Sequence, residues 1–168
     1  MKVFIIAAAT ADGFIARNDH QHIDWTSQED KKFFVNMTKE SGVMVMGGNT
    51  YRTFRNPLPG RRHIVYTRGE VKGEAFEKTT ENPQDLIKRL KQEGYTSIAI
   101  IGGSSIYSMF LDAGAVTDIY LTIEPLLFGE GVKLFDSTLD TKLELKSSKN
   151  LNDDTILFHY KVKDGNTD

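Results

Sequence analysis

The 168-residue sequence predicts an α/β fold: a single-domain, doubly wound, mostly parallel central sheet flanked by helices, with an antiparallel C-terminal edge. Three observations predict it. Short apolar runs at Val3–Ala9, Val43–Met46 and Ser97–Ile101 read as strands covered on both faces. Segments of helical period separate these runs, with capping and glycine signals at their ends. After a further strand at Val116–Ile123, Lys142–Lys149 and Thr155–Lys163 alternate around Asn152-Asp153-Asp154 as an antiparallel pair. One domain is expected over residues 1–164, with 165–168 as a polar tail.

The elements follow in order. The run from Val3 is only about seven residues long and meets Asp12-Gly13 directly, so it is a buried strand rather than a secretion signal. Residues 10–24 lack clear periodicity, and a connection of that length reads as a lid or binding loop. Thr26 followed three residues later by Glu29 reads as a capping box, opening a helix to about Glu40 that stops at Ser41-Gly42. After the second strand, Asn49 or Thr50 caps a short helix through Phe54. Pro57-Leu58-Pro59-Gly60 is a rigid turn, Arg62–Thr67 a third strand and Glu74–Lys78 a short fourth. Asn82-Pro83 opens a helix striped by Leu86, Ile87 and Leu90 and ended by Gly94. Ser97–Ile101 then leads through Gly102-Gly103-Ser104-Ser105 into a helix carrying Ile106, Tyr107, Phe110 and Leu111.

Composition excludes several function classes. A net charge of −2, with no basic block longer than two residues, predicts neither nucleic acid nor an anionic membrane as partner. There is no cysteine, hence no disulfide, thiolate metal site or thiol nucleophile, and the four histidines lack metal-ligand spacing. No metal is expected. No segment approaches the ~20 apolar residues of a membrane span. A cytoplasmic protein with a small-molecule substrate is expected; a monomer is the default, with a homodimer left open.

The chemistry is concentrated at a few places. Asp30, Phe33, Phe34 and Met37 fall at i, i+3, i+4 and i+7, which puts one acid on an apolar helix face. An unpaired carboxylate is costly to bury. Either Asp30 sits at the rim in water, or a ligand with paired N–H donors meets it; the plain alternative is that it only favours the helix dipole. Gly102-Gly103-Ser104-Ser105 follows a strand and opens a helix, a layout that suits a phosphate as well as a simple tight turn. Gly47-Gly48-Asn49-Thr50 repeats it, and two such turns suit the two phosphate regions of one dinucleotide. Arg68 after Thr67 can reach a further phosphate or be a solvated strand-end charge. Arg61 suits a carboxylate bidentately, or a surface ion pair. Thr122 shares a strand face with Tyr120 and needs a partner if buried. In such sheets ligands sit beyond the carboxyl ends of the strands, where Ala7–Ala9, Gly47–Thr50 and Gly102–Ser105 converge.

These pieces together resemble dihydrofolate reductase over nearly the whole chain. Trp25, Asp30 and Phe34 match that family's Trp/acid/Phe spacing, and Met46-Gly47-Gly48-Asn49-Thr50-Tyr51 is similar to its Met-Gly-Arg-x-Thr-Trp segment. Pro57-Leu58-Pro59-Gly60-Arg61, His63–Arg68, the Gly-Gly-x-x-Ile-Tyr motif at Gly102–Tyr107 and Leu121-Thr122 follow in the family's order. The resemblance implies NADPH-dependent reduction of dihydrofolate to tetrahydrofolate, with hydride to C6 and a proton to N5. Asp30 would bind the pterin and support protonation, Thr122 would hold Asp30, and Trp25 would orient water. Ile6, Ala7, Phe34 and Phe54 would line the substrate pocket, and Arg61 would take the glutamate carboxylate. Ala8, Ile15 and Ala16 would border the nicotinamide. Gly47, Gly48, Asn49 and Thr50, with Ile101, Gly102, Gly103, Ser104, Ser105, Ile106 and Tyr107, would cradle the cofactor, and Thr67 and Arg68 would favour NADPH.

Some residues depart from that pattern. Gly48 stands where many relatives carry an arginine, and the usual proline between Trp25 and Asp30 is missing. Asp12–Ala16, Glu124–Leu127 and Gly129-Glu130-Gly131 look more like the pyrimidine reductase of riboflavin biosynthesis. That enzyme shares the fold and NADPH but reduces a ribosylamino-pyrimidine phosphate, to which Lys31 and Lys32 would offer contacts.

Overall fold

The computed structural model describes residues 1–54, 56–69 and 75–163. In chain order these form β1 (Lys2–Thr10), β2 (Phe14–Ala16), α1 (Gln28–Ser41), β3 (Val43–Gly47), α2 (Gly48–Thr53), β4 (Arg62–Tyr66) and β5 (Glu77–Thr79). Then come α3 (Pro83–Gln92), β6 (Ser97–Ile100), α4 (Ser104–Asp112), β7 (Asp118–Glu124), β8 (Val132–Lys133), β9 (Leu143–Asn150) and β10 (Ile156–Val162). Eight strands form one sheet in the order β5-β4-β3-β6-β1-β7-β10-β9, and β2 pairs with β8 in a separate ribbon. Pairings from β5 to β7 are parallel; β10 runs antiparallel to both β7 and β9. The predicted doubly wound α/β sheet with an antiparallel C-terminal edge is the observed fold.

Strand alternation explains the two-sided core. Val3, Ile5 and Ala7 of β1 point to the side of α3 and α4, where they pack with Leu86, Leu90 and Phe110. Phe4 and Ile6 point to the opposite side, with Met44, Met46 and Tyr51, against Phe33, Phe34 and Met37 of α1. Both faces of β1 are therefore apolar, as the unbroken run in the sequence requires.

Several boundaries differ from the sequence reading. The cap of α1 is Ser27, whose hydroxyl accepts the Asp30 N–H at 3.2 Å; Thr26 is not the cap but is itself buried. Gly42 closes that helix in the left-handed conformation, φ 73°, where a side chain would be strained. Neither Asn49 nor Thr50 caps α2, which starts from Gly47 without a side-chain cap. Residues 10–24 contain the short strand β2, held by β8, which the sequence did not announce. The fourth strand is Glu77–Thr79, and Glu74 lies outside the described residues, as does the expected tail at 165–168. The Asn82 cap and Pro83 start of α3 are as expected. No helix among the described residues is long and apolar enough to cross a membrane.

One buried histidine fastens the turn that follows α2. The Leu58 N–H donates to His63 Nε2 at 3.1 Å, and burial lowers the His63 pKa from its ordinary 6.5. The folded state therefore disfavours the proton that the unfolded chain takes up near 6.5. Stability from this group is present above that pH and is lost as pH falls through it. The urea midpoint is expected to fall between pH 7.5 and 5.5, and to fall less over that interval in His63→Leu.

Candidate active site

Two cavities open beyond the carboxyl ends of β1, β3 and β6. The larger, about 640 Å³, lies over the N-termini of α2 and α4. The smaller, about 310 Å³, is closed on one side by α1. Ile15, Ile23, Thr50, Thr53 and Gly103 line both, so the two spaces adjoin.

Sequence and local geometry build the larger cavity. Neither α2 nor α4 has a side-chain cap, which leaves the first backbone N–H groups of each facing the space. A Cβ on Gly47 would sit 3.2 Å from Ile106 Cγ1, so a side chain here would crowd the wall. Of the residues expected at a cofactor, Ile15, Ala16, Gly47, Gly48, Asn49, Thr50, Thr67, Gly103, Ser104, Ser105 and Ile106 line this cavity. Arg68 does not line it; Arg52 and Lys133 do. Arg52 folds back on Asn49, donating to its side-chain oxygen at 2.7 Å. The Ser104 hydroxyl donates to the Lys133 carbonyl, tying α4 to β8.

Ile6, Ala7, Ala8, Asp30, Lys31, Phe34 and Phe54 line the smaller cavity, and so do Ile101, Gly102 and Tyr107, which were expected in the cofactor cradle but do not line the larger cavity. Asp30 is its acid, 8% exposed. Burial raises the Asp30 pKa most; the Thr122 and Thr26 hydroxyls and Lys31 oppose this, and the nearby Glu124 charge adds to it, with a net rise. Thr122, 1% exposed, stands behind Asp30 rather than in the cavity wall. The buried Tyr107 hydroxyl donates to the Ile6 carbonyl at 3.0 Å, and burial together with the Asp30 charge pushes its pKa up.

Two expected residues lie elsewhere. Arg61 is absent from the lining of both cavities: its Nη1 donates to the Thr38 hydroxyl at 2.9 Å and its Nε to the Pro59 carbonyl at 3.2 Å. Trp25 is also absent from both linings; its ring meets Phe128 edge to face at 5.2 Å, and its indole nitrogen is buried without a partner among the described residues.

Sequence reasoning missed Ile23, Thr26, Val35, Thr53 and Leu58 at the smaller cavity, and Asn18, Asp19, Gln21, Arg52, Tyr66, Gly131, Val132, Lys133, Phe135 and Asp136 at the larger. The Gly129-Glu130-Gly131 run was the available signal for those from Gly131 onward. Asp12 holds the two loops together: its carboxylate accepts the Gly129 N–H at 2.7 Å, the Phe128 N–H at 3.1 Å and the Thr10 hydroxyl at 2.6 Å.

The model of dihydrofolate reductase matches residues 2–157 of the sequence. The chain belongs to the dihydrofolate reductase family. Within reach of this family, the uncharacterized YwjB of Bacillus subtilis (strain 168) is 28% identical over 95% of this chain and 97% of its own. A putative riboflavin biosynthesis protein from Shewanella sp. PV-4 superposes with a TM-score of 0.79 at 19% identity, covering 98% of this chain and 100% of that one. A pyrimidine reductase-like protein from Corynebacterium diphtheriae gives 0.78 at 17% identity, covering 97% and 92%. The reductase-bearing deaminase/5-amino-6-(5-phosphoribosylamino)uracil reductase of Thermotoga maritima gives 0.76 at 16%, over 96% of this chain and 56% of that one. Membership in the dihydrofolate reductase family supports a reductase, and the solved structures share its fold.

Proposed function

We propose that this family member is an NADPH-dependent reductase of a pyrimidine-bearing substrate, of the riboflavin-biosynthesis type in preference to dihydrofolate. The observation that carries the reductase reading, for either substrate ring, is Asp30, a buried carboxyl lining an otherwise largely apolar cavity that adjoins the larger one. A ring with N–H donors is the ligand that relieves such a group. NADPH is the cofactor this reading assigns to the larger cavity: two helix N-termini without side-chain caps border it, its glycines leave the backbone open, and Arg52 and Lys133 line it.

When bound, the nicotinamide supplies a hydride to the substrate carbon. The chain's own residues do the rest. Ile15, Ile23 and Gly103 border both ligands and exclude water where they meet. Asp30, with its pKa raised by burial, holds a proton closer to neutral pH than an exposed aspartate and is placed to supply it to the atom that gains electrons: in a ribosylamino-pyrimidine the sugar-ring oxygen released from C1′ as that carbon takes the hydride, in dihydrofolate N5 beside C6. Thr122 holds the Asp30 carboxyl from behind.

The preference between substrates rests on the cations. Lys31, whose Nζ donates to the Asp24 carbonyl at 3.3 Å, lines the smaller cavity and offers a charge to a phosphorylated tail, whereas Arg61 is absent from that lining. The family match and the Asp30/Thr122 pair favour dihydrofolate as the second reading. Purified protein with NADPH is the test, with loss of reduced-nicotinamide absorbance as readout. Oxidation with 5-amino-6-(5-phosphoribosylamino)uracil, insensitive to methotrexate, is expected. Methotrexate-sensitive oxidation that requires dihydrofolate would reverse the order of the two substrates.

A further inference from the structure

A second buried carboxylate stands behind the first. Glu124 ends β7 and is 3% exposed. Its Oε1 accepts the Ser27 N–H at 2.8 Å and the Ser27 hydroxyl at 2.9 Å, and its Oε2 accepts the Thr155 hydroxyl at 3.1 Å. No Lys, Arg or His among the described residues forms an ion pair with it. Ser27 in turn caps α1 by accepting the Asp30 N–H. Thr122 and Glu124 are two residues apart on one strand, so they share a face: the first meets the Asp30 carboxyl, the second meets its cap.

Helix capping alone does not call for this arrangement. A neutral side chain could accept the same Ser27 donors without burying a charge. The charge of Glu124 is favoured by the N-terminus of α1, yet it repels an ionised Asp30.

We propose that Glu124 is a positioning residue for Asp30, fastening the first turn of α1 through Ser27 and setting a second carboxylate behind the Asp30 side chain. Its catalytic meaning rests on the proposed reductase reading; its physical basis does not. The groups facing Asp30 fall into two sets. Glu124 on β7 disfavours its ionisation, while Lys31 on its own helix and the hydroxyls of Thr26 and Thr122 favour it. On α4, the Tyr107 hydroxyl is turned to the Ile6 carbonyl. Removing the Glu124 charge leaves burial as the main influence holding the Asp30 proton, so Asp30 should release it at lower pH.

The test needs no substrate. The side-chain carboxyl carbon of Asp30 is followed by NMR as a function of pH in carbon-13-labelled full-length protein, its resonance assigned by its loss in Asp30→Asn. In Glu124→Gln the midpoint is expected to fall by about half a pH unit or more, with NADPH binding by fluorescence within about twofold of wild type. An unchanged midpoint in folded Glu124→Gln overturns the proposal. Glu124→Asp keeps the charge and shortens the reach, which guards against a Gln variant that does not fold. It should keep the midpoint near wild type but speed hydrogen exchange at the Ser27 and Asp30 amides. Unchanged exchange there would count against the fastening role. Should wild type reduce neither test substrate, the functional reading fails while the titration still decides this one. With an active enzyme, the alkaline limb of kcat should move to lower pH in Glu124→Gln.

Discussion

Asp30→Asn is expected to lower kcat by about two to four orders of magnitude, the usual contribution of a positioned proton donor. Asparagine keeps the size and can still hydrogen-bond a ring, so the loss isolates the proton. NADPH binding should survive, because Asp30 lines the smaller cavity only. Residual activity should lose the wild-type alkaline limb, since a raised Asp30 pKa makes the working proton leave as pH rises. The same substitution should raise Tm. A carboxyl whose folded-state pKa lies above its unfolded value contributes stability that is complete below the unfolded pKa and lost as pH rises through the folded one. The gain in Tm should thus be evident at pH 8 and fade by pH 3. Steady-state kinetics, NADPH fluorescence titration and thermal melts at the two pH values check all three parts. Equal loss of NADPH binding would mark Asp30 as a structural residue.

Gly131→Ala should be nearly as damaging, by a different route. Gly131 has φ +149°, and an added Cβ would lie 2.4 Å from the Ala16 carbonyl oxygen, which is backbone and cannot rotate away. Both residues line the larger cavity; Ala16 pairs with Val132 in the β2–β8 ribbon, and Gly131 immediately precedes β8. Forcing the strands apart should weaken NADPH binding at least about tenfold, or ~1.4 kcal/mol. Gly129→Ala is the control. Its φ of +74° carries conformational strain, but nothing lies within 4 Å of the added carbon. It should lower stability by roughly 1–2 kcal/mol while leaving NADPH affinity within about twofold. Fluorescence titration and urea melts separate the two effects; wild-type affinity in Gly131→Ala would show that the ribbon does not shape the cleft.

What the sequence made legible follows from how local each signal is. Buried parallel strands announce themselves by unbroken apolar runs, and both faces of β1 are indeed packed. Asp30 stood out because an acid on an apolar helix face is locally inconsistent, and such inconsistencies gather at functional sites. Glu124 gave no such sign. In Thr122-Ile123-Glu124 it reads as the polar member of an alternating strand end, and its burial comes from Ser27 and Thr155, far away in sequence. The same long-range contact decides the cap: Thr26 and Ser27 are equivalent to the eye, but Glu124 selects Ser27. A ribbon of three residues against two is too short for periodicity to register. The engagement of Arg61 with Thr38 depends on how α1 lies over the turn, which no spacing reveals.

The shared wall between the cavities has a thermodynamic consequence. Ile15, Ile23, Thr50, Thr53 and Gly103 each face both spaces, so a ligand in one fixes side chains that a ligand in the other must also meet. The two binding free energies are then linked. Whatever factor the cofactor contributes to substrate affinity, the substrate returns to cofactor affinity, and the oxidised and reduced forms of the cofactor need not share that factor.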